Sequence, residues 1–102
     1  MSDRDISILI VDDAKFSSAV VSRTLTTSGY TDVRHAQSAA EALAKLEERP
    51  ASLVVADWLM PEMDGLELTR RIRQLDEQVN RYTYIMLLTA KEGVGALQKA
   101  FD

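Results

Sequence analysis

Two adjacent aspartates, Asp12 and Asp13, follow the β-branched run Ile6-Ser7-Ile8-Leu9-Ile10-Val11, and a third, Asp57, follows Ser52-Leu53-Val54-Val55-Ala56. A hydroxyl, Thr89, stands in the same relation to Tyr84-Ile85-Met86-Leu87-Leu88. If the fold brings these ends together, three carboxylates share one place. Like charges held close raise one another's proton affinity, and a hard divalent cation relieves the repulsion. Magnesium suits an all-oxygen site with few protein ligands and several retained waters. Such a site can draw in a phosphoryl group and offset charge during its transfer. A carboxylate can then serve as nucleophile and form an aspartyl phosphate, and a strand-end hydroxyl can bond a phosphoryl oxygen. Singly, each residue has a plainer role: Asp13 as a helix N-cap, Asp57 as a turn former, Thr89 as an ordinary strand end. Only their convergence favours the chemical reading, so the elements that position them matter.

Those elements alternate. The first strand is nearly continuous in apolar residues, as expected for a strand buried on both faces. Helical spacing follows, with Phe16 and Val20, then Val21 and Leu25, each four apart, and Gly29 where a C-terminal cap is expected. A short second strand is predicted over 32–36. The next helix has an apolar face of Ala39, Ala42, Leu43 and Leu46, with Ser38 and Glu41 spaced as a capping box. Pro50 helps to end it. After the third strand and a turn containing Pro61, Asp64 is placed to cap a helix, with Glu67 at N3 and Met63 and Leu68 as a staple across the cap. Leu68, Ile72 and Leu75 form its stripe, and 76–81 read as a polar connection. The fourth strand is Tyr84–Leu88, and a last helix uses Val94, Leu97 and Phe101.

Strand–helix alternation implies an α/β fold with a parallel sheet, and right-handed crossovers leave few topologies. The expectation is a flavodoxin-like doubly wound sheet, whose complete order is 2-1-3-4-5; the four βα units present would give 2-1-3-4. Strands 1 and 3 are then neighbours at the switch point, where ligands bind beyond the carboxyl ends. Asp12, Asp13 and Asp57 meet there.

Four segments together resemble the receiver domain of bacterial two-component response regulators. They are Ile8-Leu9-Ile10-Val11-Asp12-Asp13, Ser38-Ala39-Ala40-Glu41-Ala42-Leu43, Asp57-Trp58-Leu59-Met60-Pro61-Glu62-Met63-Asp64-Gly65 and Leu88-Thr89-Ala90. The resemblance covers the whole chain, 1–102, as one domain. It implies that Asp57 receives phosphate from the phosphohistidine of a sensor histidine kinase. It implies that Asp13 and Asp57 bind Mg2+ directly, with the backbone carbonyl of Leu59 as a further ligand and Asp12 assisting directly or through water. Thr89 would be the switch hydroxyl, and Leu59 and Lys91 would tune dephosphorylation. Receivers also carry a Lys at the end of a fifth strand and an aromatic switch residue within it. The chain ends at Asp102, so the resemblance implies a C-terminally truncated domain lacking the fifth strand and helix. Lys91 lies just after the fourth strand and does not replace that Lys. An exposed fourth strand would invite a homodimer or strand exchange, and a longer parent protein would carry the output domain.

The remaining composition narrows the alternatives. The net charge of -4 argues against direct nucleic-acid binding. The absence of Cys excludes disulfides and thiolate metal sites. No apolar run is long enough to span a membrane, and the polar start at Met1–Asp5 does not resemble a signal peptide; a cytoplasmic location is expected. The alternative function is a degenerate receiver acting as a protein-interaction module. A magnesium-dependent hydrolase similar to haloacid dehalogenases would place a second Asp two residues after the nucleophile, where Leu59 stands, so a signalling module rather than an enzyme is expected. No Gly-rich phosphate loop follows the first strand, where Asp12-Asp13-Ala14-Lys15 stands. His35 is expected at the end of the second strand facing solvent or a loop, and Arg70, Arg71 and Arg73 on a solvated helix face.

Overall fold

A computed structural model describes residues 6–58, 60 and 63–88. Within them the order is β1 (Ser7–Val11), α1 (Lys15–Thr27), β2 (Asp32–Ala36), α2 (Ala39–Glu48), β3 (Leu53–Asp57), α3 (Gly65–Val79) and β4 (Tyr84–Leu88). The strands form one sheet in the order β2-β1-β3-β4, every pair parallel. This is the expected arrangement. The region predicted as a last helix lies outside the described residues.

The two faces of the sheet explain why its strands are apolar throughout. Side chains alternate between faces along a strand. Leu9 and Val11 of β1, Val54 and Ala56 of β3, and Leu87 of β4 share a core with Ala39, Ala42 and Leu46 of α2 and Leu68 and Ile72 of α3. Ile8, Ile10 and Val55 turn to the opposite face and pack with Val21 and Leu25 of α1. A strand covered on both sides has no polar position to spare.

Local chemistry sets the helix ends. Ser38 accepts from the Glu41 N–H at 3.1 Å. The Glu41 carboxylate reaches one residue past the usual capping-box target and accepts from the Gln37 N–H at 3.1 Å. Asp64 accepts from the Glu67 N–H at 2.9 Å, but Glu67 turns outward to pair with Arg70 and Arg71. Met63 packs against the core that contains Leu68, as a hydrophobic staple requires. At the end of α1, Gly29 has φ 105°. Its N–H donates to Thr26 O at 3.0 Å, and the Tyr30 N–H donates to Leu25 O at 3.1 Å. This is the Schellman arrangement, which needs a left-handed residue and so favours glycine.

Two expectations are corrected, and one helical pattern is resolved into its two faces. The stretch 76–81 is not simply a polar connection: α3 runs to Val79 and Asp76 is a buried anchor. Arg73 is not on a free solvated face. Its guanidinium donates to Thr83 O at 2.6 Å and to Asp76 Oδ2 at 3.2 Å, and stacks 4.3 Å from the Tyr82 ring centre. On α1, Phe16 and Val20 do not share the buried face of Val21 and Leu25; they point outward, Phe16 being 82% exposed.

Candidate functional site

The site begins at two neighbouring strand ends. β1 and β3 pair from Ile8↔Leu53 to Val11↔Ala56, so the residues that follow them emerge side by side. Asp57 closes β3, in register with Leu88 of β4. Asp12 follows β1, and its N–H donates to Ala36 O at 3.0 Å, tying the end of β1 to β2. Asp12, Asp13 and Asp57 each offer a carboxylate oxygen, and these oxygens lie within 4.8 Å of one another. Asp12 and Asp57 are half-buried and Asp13 is exposed. Sequence reasoning had brought these three together, and the structure does the same.

The plainer role for Asp13 does not hold. The N-cap of α1 is Ala14, which makes no side-chain cap. Asp12 is the aspartate that serves the turn, its Oδ1 accepting from the Ala14 N–H at 2.9 Å. That bond holds one oxygen of the Asp12 carboxylate within the cluster.

Three negative charges at this separation repel by about 1 to 4 kcal/mol per pair, depending on how much water lies between them. The donor set is all oxygen, partly shielded and open on the Asp13 side. It therefore fits a small hard dication that keeps several waters, as Mg2+ does. Among the described residues, no sulfur or imidazole belongs to the cluster, which disfavours softer metals.

The floor of the site depends on a glycine to which sequence reasoning gave no role. The Gly65 N–H donates to Trp58 O at 2.7 Å, and the Trp58 N–H donates to Leu88 O at 2.7 Å. The start of α3 is thus held directly against the Asp57–Trp58 backbone. A Cβ on Gly65 would lie 2.9 Å from Leu87 Cδ2, 3.1 Å from Trp58 Cα and 3.2 Å from Asp57 O. Only the absence of a side chain allows that approach. The available signal was a glycine directly after the Asp64 cap, at a helix start where nothing local demands one.

Thr89, Leu59 and Lys91 lie outside the described residues. Trp58 is half-buried and packs against the core beneath the site. His35 is exposed near the end of β2, as expected, but its Nδ1 pairs with Ser18 Oγ at 2.7 Å. The sequence showed no sign of that pair, because the two residues meet only when α1 packs beside β2.

Comparisons with known proteins point the same way. The family profile of the response regulator receiver domain matches residues 8–102. The chain is 41% identical over 71 residues to the chemotaxis protein CheY of Bacillus subtilis, a match covering 70% of this chain and 59% of that protein. It is 34% identical over 85 residues to CheY1 of Helicobacter pylori strain 26695, covering 82% and 68% respectively. Among solved structures, CheY4 of Vibrio cholerae superposes with a TM-score of 0.77 at 30% identity, over 95% of this chain and 78% of that one. The receiver domain of the Arabidopsis thaliana histidine kinase CKI1, solved in complex with Mg2+ and BeF3−, gives 0.76 at 28% identity over 94% and 74%. Among the described residues, no helix is long and apolar enough to cross a membrane.

Proposed function

Because the chain belongs to the response regulator receiver domain family of two-component signalling, we propose that Asp57 accepts a phosphoryl group from the phosphohistidine of a sensor histidine kinase in a magnesium-dependent reaction. The observation that carries this reading is the meeting of the Asp12, Asp13 and Asp57 carboxylates within 4.8 Å at the ends of β1 and β3.

In the transfer, a carboxylate oxygen of Asp57 attacks phosphorus from the side opposite the imidazole nitrogen. The new P–O bond forms as the P–N bond breaks; the electron pair of that bond stays on the ring nitrogen, and the histidine leaves neutral because the other ring nitrogen of the phosphohistidine carries a proton. Positioning and charge compensation do most of the work in such a step. Asp57 is positioned by its place in β3 and by the Trp58–Leu88 and Trp58–Gly65 backbone bonds. Asp12 is positioned by the Ala14 N–H, and Asp13 completes the carboxylate set. Asp12, Asp13 and Asp57 would hold Mg2+, with the Leu59 carbonyl proposed as a further ligand, and the ion would supply positive charge to offset the phosphoryl oxygens. Thr89, the residue after Leu88 in the sequence, is proposed to bond a phosphoryl oxygen and report the modified state.

Trp58 fluorescence tests this directly. Mg2+ is titrated into the protein, beryllofluoride is added as a stand-in for the phosphoryl group, and Asp57→Asn serves as control. A saturable Mg2+ response that beryllofluoride extends, and that the variant loses, is the expected result. A folded protein that gives no response, or an unchanged response in Asp57→Asn, would remove Asp57 from the role.

A further inference from the structure

A groove of about 470 Å3 lies between the flank of α1 and the end of β2, lined by Lys15, Ser18, Ser22, Arg23, His35 and Gln37. Its chemistry differs from that of the carboxylate site. Ser18, Ser22 and Thr26 recur every four residues, which places their hydroxyls along one flank of the helix. Lys15 and Arg23 are exposed on the same helix. α1 contains no Asp or Glu, in a chain whose net charge is -4; α2 and α3 both carry several. One carboxylate reaches the groove, that of Asp12, and its Oδ1 is already engaged by the Ala14 N–H.

His35 adds a fixed polar group. Its Nδ1 is bonded to the buried Ser18 hydroxyl, and its carbonyl accepts from the Lys45 ammonium. The ring is therefore held in place, and with the Ser18 hydroxyl donating to Nδ1 the ring proton sits on Nε2, which can then donate to a ligand. Ser18 is engaged by His35, and Thr26 by the Ser22 and Arg23 carbonyls, so two cations, an oriented imidazole and the Ser22 hydroxyl are what the groove offers, and they match a small multiply charged oxyanion. We propose that this groove binds a phosphate-group dianion, free or as a monoester, with Lys15 and Arg23 supplying charge and Ser22 and His35 supplying hydrogen bonds. This site does not depend on phosphorylation of Asp57. Both cations are exposed and screened by salt, so the expected dissociation constant is on the order of 1 to 10 mM.

The test uses the isotope-labelled full chain in magnesium-free buffer with a chelator. Sodium phosphate is titrated against sodium chloride at matched ionic strength, and the amide resonances of 15–26 and 35–37 are followed. Saturable shifts with phosphate, and none with chloride, support the site. The Lys15→Gln/Arg23→Gln double variant keeps the thermal midpoint and weakens binding about tenfold or more, while Asp57→Asn, which removes a nearby negative charge, does not weaken it. A parallel titration with O-phosphoserine distinguishes the source: tighter binding than orthophosphate points to a phosphorylated side chain, equal binding to free phosphate. Identical shifts in phosphate and chloride, an unaffected double variant, or loss of binding in Asp57→Asn would each overturn the proposal.

Discussion

The Asp76 carboxylate takes two hydrogen bonds from a single residue, Thr83: Oδ2 accepts from its N–H and Oδ1 from its hydroxyl, both at 2.8 Å. Asp76 and Thr83 are both buried, and Arg73 bridges them. This clamp joins the last turn of α3 to the entry of β4, the strand whose Leu88 carbonyl accepts from the Trp58 N–H. Asp76→Ala leaves a buried N–H and hydroxyl without acceptors, and frees Arg73 from its carboxylate. The expected loss is about 2 to 4 kcal/mol of folding stability, read from urea unfolding. Asp76→Asn keeps an acceptor and costs less. Equal losses for both variants would show that the clamp's charge, not its geometry, matters.

Gly65→Ala should act on the site as much as on the fold. The added methyl meets the Trp58 Cα and the Asp57 carbonyl, which are backbone atoms that cannot rotate away. Overpacking of this kind costs about 1 to 3 kcal/mol. The more informative reading is the Trp58 fluorescence response to Mg2+, expected to weaken several-fold because the Asp57 backbone must shift. A stability loss with an unchanged Mg2+ response would show that the crowding is absorbed by the Leu87 side chain.

The carboxylate cluster predicts opposite effects of one substitution with and without metal. Asp13→Asn removes one like charge, so the metal-free protein should be more stable, by up to about 1 kcal/mol since Asp13 is exposed. It also removes a ligand, so Mg2+ should raise the melting temperature less than in the unsubstituted protein. Thermal melts with Mg2+ and with chelator measure both. A variant less stable in chelator would contradict the repulsion argument.

Acid should weaken one tie at the far end of the sheet. Arg49 forms paired bonds to Asp32 at 2.8 and 2.9 Å, and these hold the Asp32 carboxyl down at about 2 from an ordinary 3.8. A lowered folded pKa gives stability that is present above the unfolded value and lost as pH falls toward the folded one. The Asp32 contribution should therefore fade between about pH 4 and pH 2. Both side chains are substantially exposed, 53% for Arg49 and 33% for Asp32, so solvent screening limits it to under about 1 kcal/mol. Melts of Asp32→Asn beside the unsubstituted protein should differ at pH 6 and converge near pH 2. A gap that persists at pH 2 would rule this source out.

The carboxylates and most element ends were legible in the sequence because they are encoded locally. Ile6–Val11 and its counterparts are apolar on both sides, so they could only be strands covered on two faces. Ser38 and Asp64 announced helix starts because a short side-chain acceptor satisfies a backbone donor within three residues. An aspartate directly after each of two such strands marked the site. What the sequence left open depends on which elements become neighbours. Phe16 and Val21 are equally apolar, yet only the sheet's position decides that Val21 is inside. Asp76 reads as part of a polar loop because its partner, Thr83, lies beyond the helix end, at the entry of β4. Gly65 carried no visible duty until α3 lay against Asp57 and Trp58. The Ser18–His35 pair joins α1 to β2, and neither element encodes the contact alone. Side-chain periodicity marks which faces of a segment can be buried, while the pairing of parallel strands through long crossovers decides which of them is, and against what.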